Sequence, residues 1–163
     1  MKWKLAISFF FAFIGFFLIE HVFTIQPDVI SGNGNPGILM IILFLPVFLL
    51  SYVLTFKQAR DKTMIEPSKK KKVGFLFLSL VVFSLLLIEI VNYRSELVIA
   101  LGGNPTVPES KIYRFGWFNQ YTNSMYFNLY TFLATHIVAV VTGILSEWSK
   151  SQKLSNLAKD ATK

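Results

Sequence analysis

The sequence has no cysteine. That excludes a disulfide-stapled secreted domain and any thiolate-ligated metal centre. Histidine is nearly absent too. His21 and His136 are the only two, and no His-Glu-x-x-His spacing exists to hold zinc. Charge is scarce, at 15% of residues, against about 25% in a soluble domain. Acids are the scarcer sign, 9 against 16 basic residues. There is no Gly-x-Ser-x-Gly, and no metal-ligand cluster or nucleophile–base–acid triad can be assembled. These absences point to a chain that is not an enzyme and that carries no metal or cofactor.

What the chain has in abundance is apolar surface. Of its 163 residues 53% are hydrophobic and 17 are Phe, and the mean hydropathy is +0.53. A disordered chain lacks such apolar content, and a soluble globule would have too few polar residues to cover it. A transmembrane helix needs about 20 mostly apolar residues. Four segments meet that need, 5–23, 38–56, 73–91 and 126–145. In hydrocarbon every backbone N–H and C=O must be paired internally, so each is expected as a helix. A β-barrel would instead alternate over segments of about ten residues. The expected fold class is all-α, a polytopic four-transmembrane-helix bundle forming a single membrane domain. Its basic start and apolar run resemble a signal peptide. The run is too long for one, however, and Glu20 to Thr24 offers no small-x-small cleavage site, so it reads as an uncleaved first span.

The basic residues orient this bundle. Two precede the first span, seven lie in the loop 57–72 and four lie in the tail 149–163, which is 13 of the 16. The positive-inside rule then places both termini and the middle loop in the cytoplasm of a multi-pass protein of the cell membrane. Lys69, Lys70, Lys71 and Lys72 form a run suited to anionic lipid headgroups. Orientation accounts for this charge, so nucleic acid is not expected as a partner. The tail, with Leu154, Leu157, Ala158 and Ala161 at helical spacing, reads as a short basic amphipathic helix. The Lys- and Phe-rich, cysteine-free composition suits a bacterial source.

An offset of 69 residues aligns 18–36 with 87–105 at nine identities in 19 positions, including Glu20 with Glu89 and Gly34-Asn35-Pro36 with Gly103-Asn104-Pro105. This suggests two tandem helical hairpins, a parallel internal repeat. Span four is then delayed by an insertion at 106–125.

Ionisable groups inside a span are costly and so mark candidate sites. Glu20 and Glu89 hold repeat-related positions near the outer ends of their helices, where two facing carboxylates would share a proton or a cation. His21 adjoins Glu20, Asn92 lies three residues beyond Glu89, and Asn128 opens span four. His136 lies mid-span, where a neutral imidazole serves as inter-helix glue or as a proton relay. Pro46 falls mid-span as well and suggests a kink. The insertion brings Tyr113, Arg114, Trp117, Phe118 and Tyr121 together, an aromatic and arginine-containing composition suited to the membrane–water interface or to a docking partner.

The expected function is that of a small integral membrane protein acting through a membrane-protein partner or as a homo-oligomer: an accessory, regulatory, immunity or assembly subunit. The second reading is a cation- or proton-coupled transporter or channel built on Glu20 and Glu89, as an oligomer.

Overall fold

A computed structural model describes residues 2–32, 34–65 and 68–160, with side chains for all of these except 63–65, 151 and 153–160. The described residues form six helices and no strand. They are α1 (Lys2–His21), α2 (Pro36–Ile65), α3 (Lys69–Ala100), α4 (Lys111–Phe115), α5 (Asn123–Tyr126) and α6 (Leu129–Asp160). Four of them are long and apolar enough to cross a membrane: Lys2–His21, Pro36–Lys62, Lys69–Ala100 and Asn123–Lys150. The bundle therefore has a lysine-rich end, where α1 and α3 begin, and an aromatic end, where α2 and α6 begin.

Three helices run further than the apolar segments alone suggested. The middle loop is largely helical, because α2 continues to Ile65 and the four lysines Lys69 to Lys72 make the first turn of α3 behind the N-cap Ser68. Lysine loses little rotamer freedom in a helix, so a basic flank extends an apolar one without penalty to propensity. α3 likewise continues through the Arg94–Ala100 stretch. It stops where Gly102 and Gly103 both take positive φ, a conformation that glycine adopts without a Cβ clash. The tail does not form a separate helix, since the backbone of α6 is unbroken to Asp160. The side chains that would make its amphipathic face, Leu154, Leu157, Ala158 and Ala161, lie outside the described residues. Pro46 lies within α2, which is helical on both sides of it.

α2 and α6 form the centre. They run parallel, as their paired residues show: Ser51 meets His136, and Phe56 to Arg60 meets Gly143 further along both chains. α1 packs antiparallel on α2 and touches α6 through Phe9 and Phe13, whose rings lie 4.9 and 5.7 Å from that of Phe132. α3 packs on α6, with Tyr93 opposite Tyr130, and is the most peripheral of the long helices. α1 and α3 make no extensive contact with each other.

The core between α1, α2 and α6 is aromatic. Ala12, Phe16, Ile19, Phe48 and Phe132 are buried together, with Phe44, Tyr52 and Phe127 against them. Phe16 makes edge contacts with Phe48 at 4.8 Å and with Phe132 at 5.2 Å. Such pairs contribute about 0.5–1.5 kcal/mol each beyond the area they cover. That increment matters in a helix bundle with an apolar exterior. Leu39, Ile42, Leu43, Phe77 and Leu80 are widely exposed, and in lipid their burial would supply no hydrophobic drive, so packing and inter-helix polar contacts must hold the helices together.

The matched 69-residue segments take different forms. Glu20 is in the last turn of α1, whereas Glu89 is followed by eleven more residues of α3. Gly34 and Gly103 keep a common positive φ, yet Pro36 opens a helix and Pro105 lies in a turn.

Close approach of α2 and α6 depends on Gly143. A Cβ there would lie 2.5 Å from the Phe56 carbonyl oxygen, which is backbone and cannot rotate away. Gly74 on α3 faces open space. Gly143→Ala is therefore expected to lower stability by about 1–3 kcal/mol, and Gly74→Ala to leave it unchanged or raised. Thermal unfolding of the detergent-purified protein measures both.

Candidate functional site

The chemistry-bearing residues fall into three places: the joint of α1 with α6, the middle of the α2–α6 seam, and an ordered cap at the aromatic end.

At the first place α6 begins with a reciprocal cap. The Asn128 side-chain oxygen accepts from the Thr131 N–H at 2.9 Å, and the Thr131 hydroxyl oxygen accepts from the Asn128 N–H at 3.0 Å. This is a capping box with Asn and Thr in the two roles. The next free N–H, that of Leu129, donates to the Glu20 carboxylate at 3.2 Å. A carboxylate at a helix N-terminus is stabilised by the helix dipole as well as by the bond. Glu20 has a side chain only 12% exposed, and its neighbour His21, at 3.8 Å, is 53% exposed. Tyr93 of α3 faces Ser124 nearby, and its ring lies 6.4 Å from that of Tyr130. Glu20 thus ties the end of α1 to the start of α6.

Glu89 and Asn92 do not join this cluster. The covered positions of α3 run Lys72, Leu76, Ser79, Phe83, Leu86, Ile90, Tyr93 and Leu97, with Val98 beside the last. That alternating three–four spacing is a packing stripe. Glu89 and Asn92 stand off it on the exposed face. The expected coupled pair of carboxylates is thus not assembled within one chain. The shared offset put Glu20 and Glu89 at equal sequence register, but α1 and α3 make no extensive contact, and the packed face of α3 is set by its own stripe.

At the second place His136 is buried between helices. Its Nδ1 lies 2.8 Å from the Phe132 carbonyl oxygen and its Nε2 lies 2.8 Å from the Ser51 hydroxyl. A carbonyl only accepts, so Nδ1 carries the proton, and a neutral ring then accepts from Ser51 at Nε2. Phe9, Tyr52 and Phe132 surround the ring at 4.8, 4.9 and 4.4 Å. The Thr135 hydroxyl donates to the Tyr52 phenol at 3.2 Å, one residue further round. Both ring nitrogens of His136 are committed, so the geometry matches inter-helix glue rather than a relay.

The third place is the cap, and it is built from both outer connections. Ile25 N–H donates to the Gln120 carbonyl. The Lys111 ammonium donates to the carbonyls of Pro27 at 2.6 Å and Val29 at 2.8 Å and sits 4.1 Å over the Tyr121 ring. The Tyr121 hydroxyl accepts from the Ser31 N–H and donates to the Val29 carbonyl. Asn35 and Asn123 exchange amide bonds in both directions, at 3.1 and 2.6 Å. Asn119 forms an Asx turn, accepting from the Tyr121 N–H. Tyr121 is 1% exposed. It is a buried keystone rather than part of an outer docking face, because its hydroxyl is the shared partner of the α1–α2 connection.

The other expected interface residues remain outside. Tyr113 is 58% exposed, Phe118 48% and Trp117 37%, and Ile30 stands beside this cap at 95%. Arg94, from the end of α3, covers the Trp117 ring at 4.9 Å. Arg114 is exposed and lies over the adjacent Phe115. Lys69 and Lys70 are exposed at the opposite end, and Lys72 is partly covered. Among the described residues no group of three or more His, Asp or Glu could hold a metal ion.

Several residues with clear roles gave little signal in the sequence. Ser51 was visible as a polar residue in an apolar run, and Lys111 as one of three bases on the sparsely basic side. Asn35 stood out only as part of the repeated Gly-Asn-Pro, and its pairing with Asn123, 88 residues away, left no mark in the sequence.

No protein-family model matches the chain, and no curated protein or solved structure matches it.

Two outcomes follow from these contacts. Glu20→Ala should cost about 1–2 kcal/mol of stability, the scale of a charge-assisted bond at a helix N-terminus. Glu89→Gln should cost under about 0.5 kcal/mol, and the double variant should be additive. Ser51→Ala strands a buried imidazole nitrogen and should cost about 1–3 kcal/mol. Adding His136→Leu removes both partners and should return part of that loss. Denaturation midpoints of these five single and double variants decide both points.

Proposed function

We propose that this chain is a multi-pass protein of the cell membrane, with both termini cytoplasmic, that acts through a membrane-protein partner rather than by catalysis. Its two hairpins, α1–α2 and α3–α6, are in this reading a diverged tandem pair. Orientation rests on the 13 basic residues at one end.

The observation that carries the partner reading is the cap. A connection that merely joins helices has no need of buried Tyr121, Thr122 and Asn123 or of a lysine locked onto two carbonyls. Here that polar framework holds Tyr113, Trp117 and Phe118 outward on a rigid base. Preorganised aromatic groups with an arginine alongside are the composition that dominates binding energy at protein interfaces. The partner that fits is another membrane protein presenting an apolar, extracytoplasmic face above the bilayer. Accessory, regulatory, immunity and assembly subunits all match this description.

The transporter reading draws less support. Glu20 is engaged on the start of α6, His136 has both nitrogens bonded, and Glu89 faces outward.

Affinity purification of the full chain in mild detergent tests the proposal, compared with a Trp117→Ser, Phe118→Ser variant. Recovery of a membrane protein by the parent chain, lost at least tenfold in the variant at unchanged thermal stability, is the expected result. Identical recovery from both, or a chain that purifies alone, would overturn it.

A further inference from the structure

The lysine-rich end of the bundle contains a cavity of about 350 Å³. All four long helices contribute to it: Leu5 from α1, Thr55, Gln58, Ala59 and Lys62 from α2, Lys71, Lys72 and Phe75 from α3, and Val140 and Ile144 from α6. Its lining is graded. Thr55 lies seven residues before Lys62 in α2, which is about 10 Å along the axis. Lys62 and Lys72 therefore stand at the mouth, and Thr55, Phe75 and Val140 lie deeper. Among the described residues no acidic side chain lines it.

Two features distinguish its polar groups. Among the described residues the Thr55 hydroxyl oxygen and the Gln58 side-chain oxygen are the buried side-chain atoms without a hydrogen-bond partner, and both residues line this one cavity. Thr55 is only 8% exposed. A buried polar atom left unpaired costs about 1–3 kcal/mol, so two in one place are unusual. In addition, Lys62 and Lys72 form no ion pair among the described residues, although Arg60 and Asp61, close by, pair at 3.5 Å.

We infer that this cavity binds an anionic amphiphile with a hydroxyl-bearing headgroup, the chemistry of an acidic glycerophospholipid of the inner leaflet. The two ammonium groups neutralise a phosphate, and the Thr55 hydroxyl supplies a further donor. The Gln58 oxygen can only accept, so it selects a headgroup that carries its own donor. Leu5, Phe75, Val140 and Ile144 line the rest with hydrocarbon, which suits an acyl chain and not a free phosphate. The inference rests on membrane insertion but not on the existence of a protein partner.

The test uses the full chain purified in detergent, with binding measured by native mass spectrometry and by thermal shift. The probes are phosphatidylglycerol, phosphatidylcholine and free glycerol phosphate. Phosphatidylglycerol is expected to bind and to raise the melting temperature, whereas the other two bind at least tenfold more weakly. Lys62→Gln and Lys72→Gln should each weaken phosphatidylglycerol about tenfold, the scale of one lost charge-assisted bond. Lys69→Gln and Lys70→Gln, which remove the same charge from neighbours that do not line the cavity, should change it less than about twofold. Thr55→Val keeps the side-chain shape and removes the unpaired hydroxyl. It should raise the melting temperature of the lipid-free protein while weakening binding, a pair of opposite signs that a purely structural Thr55 would not produce. Equal losses from all four lysine variants would reduce the effect to diffuse attraction and overturn the site. Equal binding of phosphatidylcholine would overturn the headgroup assignment, and equal binding of glycerol phosphate would overturn the amphiphile. Release of the chain from membranes by alkaline carbonate would remove membrane insertion itself, a result separate from any comparison of variants in detergent.

Discussion

The structure depends first on the parallel contact of α2 with α6. Gly143 lets the two backbones meet at the Phe56 carbonyl, and one turn pair away Ser51 and His136 close a hydrogen bond in the same seam. In an apolar surrounding this combination is what an inter-helix contact requires: small residues for close approach and a polar pair whose alternative is to stay unsatisfied. The other long helices are placed relative to this seam. α1 adds its phenylalanines to the groove between α2 and α6, and α3 leans on the outer side of α6.

That seam has consequences at both ends. Because α2 and α6 start together, their preceding connections are neighbours. The α1–α2 connection and the 101–128 segment therefore interlock through Lys111, Tyr121 and the Asn35–Asn123 pair. Glu20 then reaches the first turn of α6 and secures α1 to it. At the far end α2 continues past the apolar region, and the gap between its basic flank and that of α3 becomes a cavity with a cationic mouth. An aromatic cap on one side and a lysine-mouthed cavity on the other are thus two results of one packing arrangement.

Much of the architecture was legible in the sequence. Four apolar runs of sufficient length became four long helices, and the basic residues clustered at one end of the bundle. The aromatic insertion was recognisable from composition. The boundaries were less legible, because lysine-rich flanks carry no helix-breaking signal and α2, α3 and α6 continue through them. The candidate site was only partly legible. His136 and Asn128 were recognisable as polar groups with work to do inside the bundle, but Ser51 and Thr131 complete their bonding and come from geometry. Tyr121 looked like its aromatic neighbours in sequence and proved to be the one that is buried.

The sequence by itself determined that the chain is helical and apolar, with its positive charge at one end and without thiols. Those properties follow from composition and from run length, and no partner segment is needed to establish them. Only the tertiary structure decided which polar residues meet. Glu20 and Glu89 are equivalent by sequence offset. One nonetheless caps α6 and the other faces outward, because the rotation of each helix is set by the stripe it packs and not by its register in the chain. The same reason placed Thr55, Gln58, Lys62 and Lys72 around one cavity, a grouping that spacing along the chain does not contain.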